Sequence, residues 1–194
     1  MSTGRPRATS RDVIAEAACE LFLEQGFEGT TVADITRRAG VSRSSFFNYF
    51  TSKSDVLWAG LDERVAALAT RLAADEGADA SASVAASLAS LGDDFAPDSL
   101  ALAVVNAAAM GLDDELEREG GLRRSRIAAT VAARLEAAGS DPITAEVAGA
   151  AHAGAVLAAI GAWARAGAGR APLGEFLGVA LAAATPTLPR AATR

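Results

Sequence analysis

Apolar residues recur at helical spacing along nearly the whole chain, and no stretch alternates apolar and polar residues as a half-buried strand does. Ile14, Ala17, Ala18, Leu21 and Phe22 form the first stripe, which starts at Thr9 or Ser10 and stops at Gly26, and it predicts a support helix. Val32, Ile35 and Ala39 share one side of a short second helix. Thr31 is placed to cap it, Asp34 is the capping-box acid three residues on, and Gly40 can take the left-handed backbone that ends it. Val41 then plugs the turn and Ser42 caps a third helix over residues 42–49, with Ser45 at its third position. The pattern is a helix-turn-helix.

Leu57, Trp58, Leu61, Val65, Leu68 and Leu72 predict a long helix, entered at Ser52 with Asp55 as its acid, that leaves this unit for the rest of the chain. Breaks rich in Asp and Gly at residues 74–80 and 92–97 bracket a short helix through Val84, Leu88 and Leu91. Pro97 suits a first turn and opens a helix through Leu100, Leu102, Val104, Val105 and Met110 to Gly111. The acidic run 113–119 with Gly120 and Gly121 reads as a mobile junction, after which Leu122, Ile127, Val131 and Leu135 continue as helix to Gly139. Asp141 and Pro142 open the most apolar stretch, residues 147–164, eighteen positions without a charge. That approaches membrane-span length, but most of it is Ala and Gly, His152 lies within, and no Lys or Arg cluster sets an orientation. The expectation is a buried helix whose Gly149, Ala153, Gly154, Ala158 and Ala162 let a neighbour approach closely, with a last helix over 172–184 beside it. The fold class is all-α, with a three-helix domain in residues 1–53 and a second helical domain in residues 54–194.

Charge sharpens this division. The net charge of −6 belongs to the second part, because residues 1–60 hold seven basic and seven acidic side chains, whereas residues 61–194 hold eleven against seventeen. In the first part the acids lie mostly on the opening helix (Asp12, Glu16, Glu20, Glu24, Glu28), away from Arg5, Arg7, Arg37, Arg38, Arg43 and Lys53, which leaves one surface positive. The single Cys19 rules out an intramolecular disulfide framework and fits a small buried hydrophobe in a reducing cytoplasm. The polar, basic start of the chain carries no export signal.

The third helix carries four of the ten aromatic residues. Phe46 and Phe50 share the face that packs on the second helix, while Arg43, Ser44, Phe47 and Asn48 lie on the other. A cation in a helix's first turn opposes the dipole, so Arg43 breaks a local rule where a base-reading side chain is useful. Arg grips guanine in the major groove, Asn grips adenine, and a phenyl ring meets a thymine methyl. A generic helical hairpin with a stray surface Phe is the plainer alternative. Residues 4–7, Gly-Arg-Pro-Arg, suit either a minor-groove arm carrying Arg5 and Arg7 or an unstructured terminus. Lys53 and the opening amides of the long helix can hold a phosphate.

Catalytic chemistry finds little to work with. One His and one Cys cannot build a Cys/His metal cluster, residues 113–119 lack ligand-loop spacing, and neither a phosphate loop nor a nucleophile elbow is present. His152 reads as a hydrogen-bonded core residue before a ligand contact. No catalytic residue, metal or cofactor is assigned.

Residues 10–58 resemble the DNA-binding domain of the tetracycline-repressor (TetR) family in combination: Gly26-Phe27, Thr30-Thr31, Ala39-Gly40-Val41-Ser42, Phe46-Phe47-Asn48-Tyr49-Phe50 and Lys53. The likeness covers a quarter to a third of the chain; the remainder is similar only in length and helical pattern. Phe47 stands where the family usually has Tyr, so a hydroxyl contact to DNA is missing there, and the run from Phe46 to Trp58 resembles a subgroup common among actinobacterial regulators. The resemblance implies that Arg43, Ser44, Phe47 and Asn48 read bases while Thr31, Ser45, Tyr49 and Lys53 hold phosphates. It implies a homodimer, paired through the last two helices as a four-helix bundle, on palindromic double-stranded operator DNA. It also implies a mainly apolar small-molecule effector between Leu57 and Trp163, for which Trp58, Phe95, Asn106, Met110, His152 and Trp163 are candidates. The expectation is a cytoplasmic repressor released by its effector; the alternatives are a constitutive or architectural DNA-binding factor and, more remotely, an enzyme using the acidic residues.

Overall fold

The computed structural model describes residues 10–189. They form ten α-helices: α1 (Ser10–Gln25), α2 (Val32–Ala39), α3 (Arg43–Phe47), α4 (Asp55–Ala74), α5 (Ala80–Ala89), α6 (Ser99–Val105), α7 (Ala107–Met110), α8 (Asp113–Ala137), α9 (Pro142–Arg165) and α10 (Leu173–Ala184). No strand occurs among the described residues, as the absence of alternating patterns requires. One continuous apolar core runs from Ile14, Phe22 and Phe46 through Trp58, Leu61 and Leu68 to Ile127, Val156, Trp163 and Leu177. Helix α1 packs on α2 and α3 and also meets α4, α6 and α7. The Phe27 N–H donates to the Met110 carbonyl at 2.7 Å, which ties the first turn region to the end of α7.

Four local expectations change. The helix expected from Pro97 to Gly111 starts later and is broken. The Asp98 carboxylate accepts from the Leu100 and Ala101 amides, leaving Pro97 outside the cap, and the chain interrupts at Asn106 before α7. The acidic run and Gly120-Gly121 are not a junction but the first half of the 25-residue α8. Two helical glycines cost about 1 kcal/mol each against Ala, so tertiary contacts must override them. Arg123 supplies these: it reaches Asp62 of α4 at 2.6 Å and Glu119 at 2.5 Å, and its guanidinium lies 4.4 Å from the Trp58 ring centre. A Cβ at Gly120 would meet that ring at 3.5 Å, an ordinary van der Waals contact, so the ring packs over this turn without requiring glycine there.

Helix α9 is apolar nearly all round but buried on one side only. Ala148, Gly149, His152 and Val156 face the core, whereas Val147 and Ala158 are exposed. By length and composition it could cross a membrane, yet half of that apolar window is buried in the fold. Its close approach to α8 is at Gly149, where any Cβ would run into the Ala128 carbonyl oxygen. The entrance to α4 also shifts. Ser52 Oγ accepts from the Asp55 amide at 3.2 Å and Asp55 accepts from the Ser52 and Thr51 amides, the expected reciprocal pair, but regular helix begins only at Asp55.

Candidate nucleic-acid interface and effector cleft

The reading unit is built from its caps outward. Thr31 Oγ1 accepts from the Asp34 amide at 3.2 Å, and Asp34 accepts from the Thr31 amide at 3.0 Å, closing the start of α2. The hydroxyl and amide of Thr31, followed by Arg37, hold the Asp34 carboxyl below its ordinary range. Gly40 ends the helix at φ 66°, and the Val41 amide returns to the Thr36 carbonyl at 3.0 Å. Ser42 then caps α3 through the Ser45 amide at 3.0 Å. Helix α3 is only five residues long, shorter than the expected 42–49, because the Tyr49 amide already bonds back to Phe46 as a turn.

The aromatic sorting follows the helical spacing. Phe46 and Phe50 are buried, and Arg43, Ser44, Phe47, Asn48 and Tyr49 are exposed. The Phe47 ring meets Phe46 edge to face at 5.3 Å, and the Arg43 guanidinium carbon lies 5.6 Å from its centroid. Ser42 Oγ sits 2.8 Å from both Ser44 Oγ and Ser45 Oγ, so three hydroxyls cluster where α3 begins.

Two basic residues are not disposed as expected. Arg38 is not clear of the acids of α1: it bridges Glu24 at 2.6 Å and Glu20 at 3.1 Å, and the Arg38 hydrogen bond pulls the Glu24 carboxyl down. Charge spacing in sequence cannot reveal that α2 lies against α1 at this point. Lys53 turns inward, donating to the Phe27 carbonyl at 2.6 Å and the Thr30 carbonyl at 3.1 Å, with its ammonium 4.1 Å from the Phe27 ring centre. An ammonium has three donors, so one is left for a phosphate. Arg5 and Arg7 lie outside the described residues.

A cleft of about 540 Å³ opens among α4, α6, α7, α8 and α9. Trp58, Leu100, Val104, Leu116, Leu157 and Ile160 give it apolar walls, and the exposed Asp113, Glu117, Arg124 and Arg165 border it. Of the six nominated effector contacts only Trp58 lines this space. Its indole Nε1 is buried without a hydrogen-bond partner among the described residues. The other five are engaged elsewhere. Met110 is core, and Asn106 donates to the Leu102 carbonyl. The His152 ring bonds the Ala148 carbonyl at 2.8 Å, and Trp163 donates to Ala171 while Phe95 stands edge to face against it at 5.5 Å. The missed signal was Gly154, read as a helix contact; a Cβ there would meet nothing within 4 Å, so the space belongs to the cleft. Among the described residues no group of three or more His, Cys, Asp or Glu side chains could hold a metal ion. A second groove, lined by Ala158, Ala162, Phe176, Val179 and Ala180, runs between α9 and α10 on the outer face.

Residues 14–59 match the family model for bacterial regulatory proteins of the tetR family. The chain is 38% identical over 65 residues to the transcriptional regulator MftR of Mycobacterium tuberculosis, covering 34% of this chain and 33% of that one. It is 33% identical over 64 residues to the transcriptional repressor ComR of Escherichia coli, covering 33% and 30%. The similarity thus spans about a third of the length of these relatives. Over most of the chain the fold is similar to that of the crystal structure of the Thermus thermophilus repressor FadR in complex with lauroyl-CoA. That match covers 95% of this chain and 98% of that one at 24% identity, with a TM-score of 0.52.

Proposed function

We propose that this chain, a tetR-family transcriptional regulator by its residues 14–59, is a homodimeric cytoplasmic repressor that leaves a palindromic operator when a small, mainly apolar molecule binds. The observation that carries the reading is the exposed set Arg43, Ser44, Phe47 and Asn48 on a capped five-residue helix whose opposite face, Phe46, is buried. A helix kept for stability alone has no use for an exposed Arg in its first turn and an exposed phenyl ring. In this reading those four side chains face bases, and Thr31, Ser45, Tyr49 and the third donor of Lys53 face phosphates, with Arg5 and Arg7 as an arm. Residues 1–53 are the reading domain and residues 54–194 receive the effector and the second copy.

The outer face of α9 and α10 supports pairing. Ile143 is 73% exposed and Val179 76%, and the alanine-floored groove lies between the two helices. A second copy covers such a face and supplies the second half-site reader. Ala158→Arg should give monomers that bind operator poorly.

The cleft supports the switch because α4 is both its wall, through Trp58, and the helix that leaves the reading unit. Apolar walls, a buried indole donor and bordering Arg124 and Arg165 suit an acyl chain with a polar head, the class found in the FadR structure. An effector that prefers one disposition of the two reading heads by about 1–3 kcal/mol changes operator affinity roughly 5- to 150-fold. The test is to select operator sites from random duplexes, then titrate lauroyl-CoA and shorter acyl thioesters against the complex. Release in that range carries the repressor reading. Tight operator binding unmoved by any compound that raises the melting temperature favours the constitutive factor. Arg43→Ala should cost about 1–3 kcal/mol and relax sequence preference.

A further inference from the structure

We infer that Arg43 and Phe47 form one reading unit for a guanine and a thymine in adjacent base pairs, with the thymine recognised through its methyl group. The inference rests on the DNA-binding reading above and adds the dinucleotide that α3 selects.

The two residues are four apart and stand one turn from each other on the exposed side of α3. The Phe47 ring is held from two directions, by buried Phe46 at 5.3 Å and by the Arg43 guanidinium at 5.6 Å, which is within cation–π range. It is nevertheless 45% exposed, so apolar ring surface remains in water after folding. A phenyl ring offers contact area and no hydrogen bond. Along the major-groove edge the one feature it can select is therefore the thymine methyl.

Arg43 completes the step. With its carbon over the ring and its side chain exposed, the guanidinium keeps N–H donors that can meet guanine O6 and N7 as a fork. The two side chains touch, so the bases they reach are close neighbours: one base-pair rise of about 3.4 Å with a lateral offset fits within the 5.6 Å between their centres, whereas two rises, about 6.8 Å, already exceed it, and adjacent pairs are the spacing inferred. The two contacts are also unequal. The ring orients the guanidinium, so its loss weakens both contacts, whereas loss of the methyl weakens only one.

The test uses the full chain and operator duplexes selected from a random pool, which should contain an adjacent thymine and guanine in each half-site. Deoxyuridine for that thymine removes one methyl, and 7-deazaguanine for that guanine removes N7. Wild-type affinity should fall about fourfold with deoxyuridine, the worth of one buried methyl. It should fall about tenfold or more with 7-deazaguanine. In Phe47→Ala the deoxyuridine effect should vanish and the 7-deazaguanine effect should shrink, and Phe47→Tyr, which keeps the ring, should restore both. A wild-type protein indifferent to the methyl, or a Phe47→Ala protein that still senses it, overturns the unit while leaving operator binding intact. Failure to select any sequence overturns the DNA-binding reading and the unit with it.

Discussion

The helices between Thr31 and Asp55 and the pair α8 and α9 are both apolar-striped, yet they are secured by opposite means. Helices of eight and five residues cannot stand alone, and in the reading unit side chains only a few residues away close the helix starts: Thr31 with Asp34, Ser42 with Ser45, Ser52 with Asp55. Helices α8 and α9, of 25 and 24 residues, have one side-chain cap between them, at Asp141. They are secured by contacts far apart in sequence: Gly149 against Ala128, Arg123 to Asp62, and Arg134 to Asp75 at 2.7 Å. Short helices that carry function need local closure because little core is available to them; long helices can ignore propensity where packing pays for it.

The largest effect should come from cutting a long-range tie. Arg123→Ala removes the cation shared by Asp62 and Glu119 and leaves the Trp58 ring partly uncovered. Breaking a buried pair costs roughly 3–5 kcal/mol, and the part-exposed Asp62 puts this case near the lower figure. Urea unfolding measures the loss, and hydrogen exchange should show α8 opening around Gly120 and Gly121. A loss below about 1 kcal/mol would mean that the glycine pair stays helical without the tie.

Gly149→Ala sets the two means of support directly against each other, because they differ in sign. Helix propensity alone predicts stabilisation by about 1 kcal/mol. Contact with the Ala128 carbonyl predicts destabilisation by about 1–3 kcal/mol, as α9 is pushed off α8. The structure favours the second outcome, and a higher melting temperature would contradict the close approach.

These contrasts explain what could be read from the chain beforehand. The caps, the Gly40 stop and the division of Phe46 from Phe47 are set by neighbours within a turn or two, and periodicity exposes them. The course of residues 113–121 was invisible because its support comes from Asp62 and Trp58, some sixty residues earlier. The ion pairs of Arg38 and the inward bonds of Lys53 went unread for the same reason. Each is a surface cation by type, but its partners, Glu20 and Glu24 or the Phe27 and Thr30 carbonyls, arrive only when α1 and its following turn fold back. Of the six residues named for an effector, only Trp58 lines the cleft. Large aromatic and polar residues attract notice, whereas beside Trp58 the space is made by Gly154 and by aliphatic residues from α6, α7, α8 and α9.

Lys53 joins the two regimes, since it sits beside the reading unit and is tied to a turn that is itself bonded to α7. Lys53→Met keeps the stem but takes the ammonium from the Thr30 carbonyl and leaves the Phe27 carbonyl with the Thr30 amide alone, for a loss of about 1–3 kcal/mol. The salt dependence of operator binding separates fastening from phosphate contact. A phosphate partner lost lowers the slope by about one, while an internal fastener lost lowers stability and leaves the slope unchanged.

The smallest effect should be the most local. Thr31→Ala deletes the side-chain acceptor for the Asp34 amide, and a lost N-cap costs about 1 kcal/mol. The variant also changes how stability depends on pH, and the sign follows from Asp34. Its carboxyl is held below the ordinary range first by the Thr31 hydroxyl, then by the Thr31 amide and Arg37. Its contribution is therefore fully present above the unfolded value of about 3.9 and is lost as pH falls through the lower folded value. Without the hydroxyl the carboxyl should rise toward its ordinary range, so the acid-side loss of stability becomes shallower. Melting curves from pH 6 down to pH 3 test this, and hydrogen exchange should confine the change to α2 and the turn at Gly40. Exchange that rises equally in α9 would show that the local cap supports the whole fold, and the distinction between the two regions would fail at its most local point.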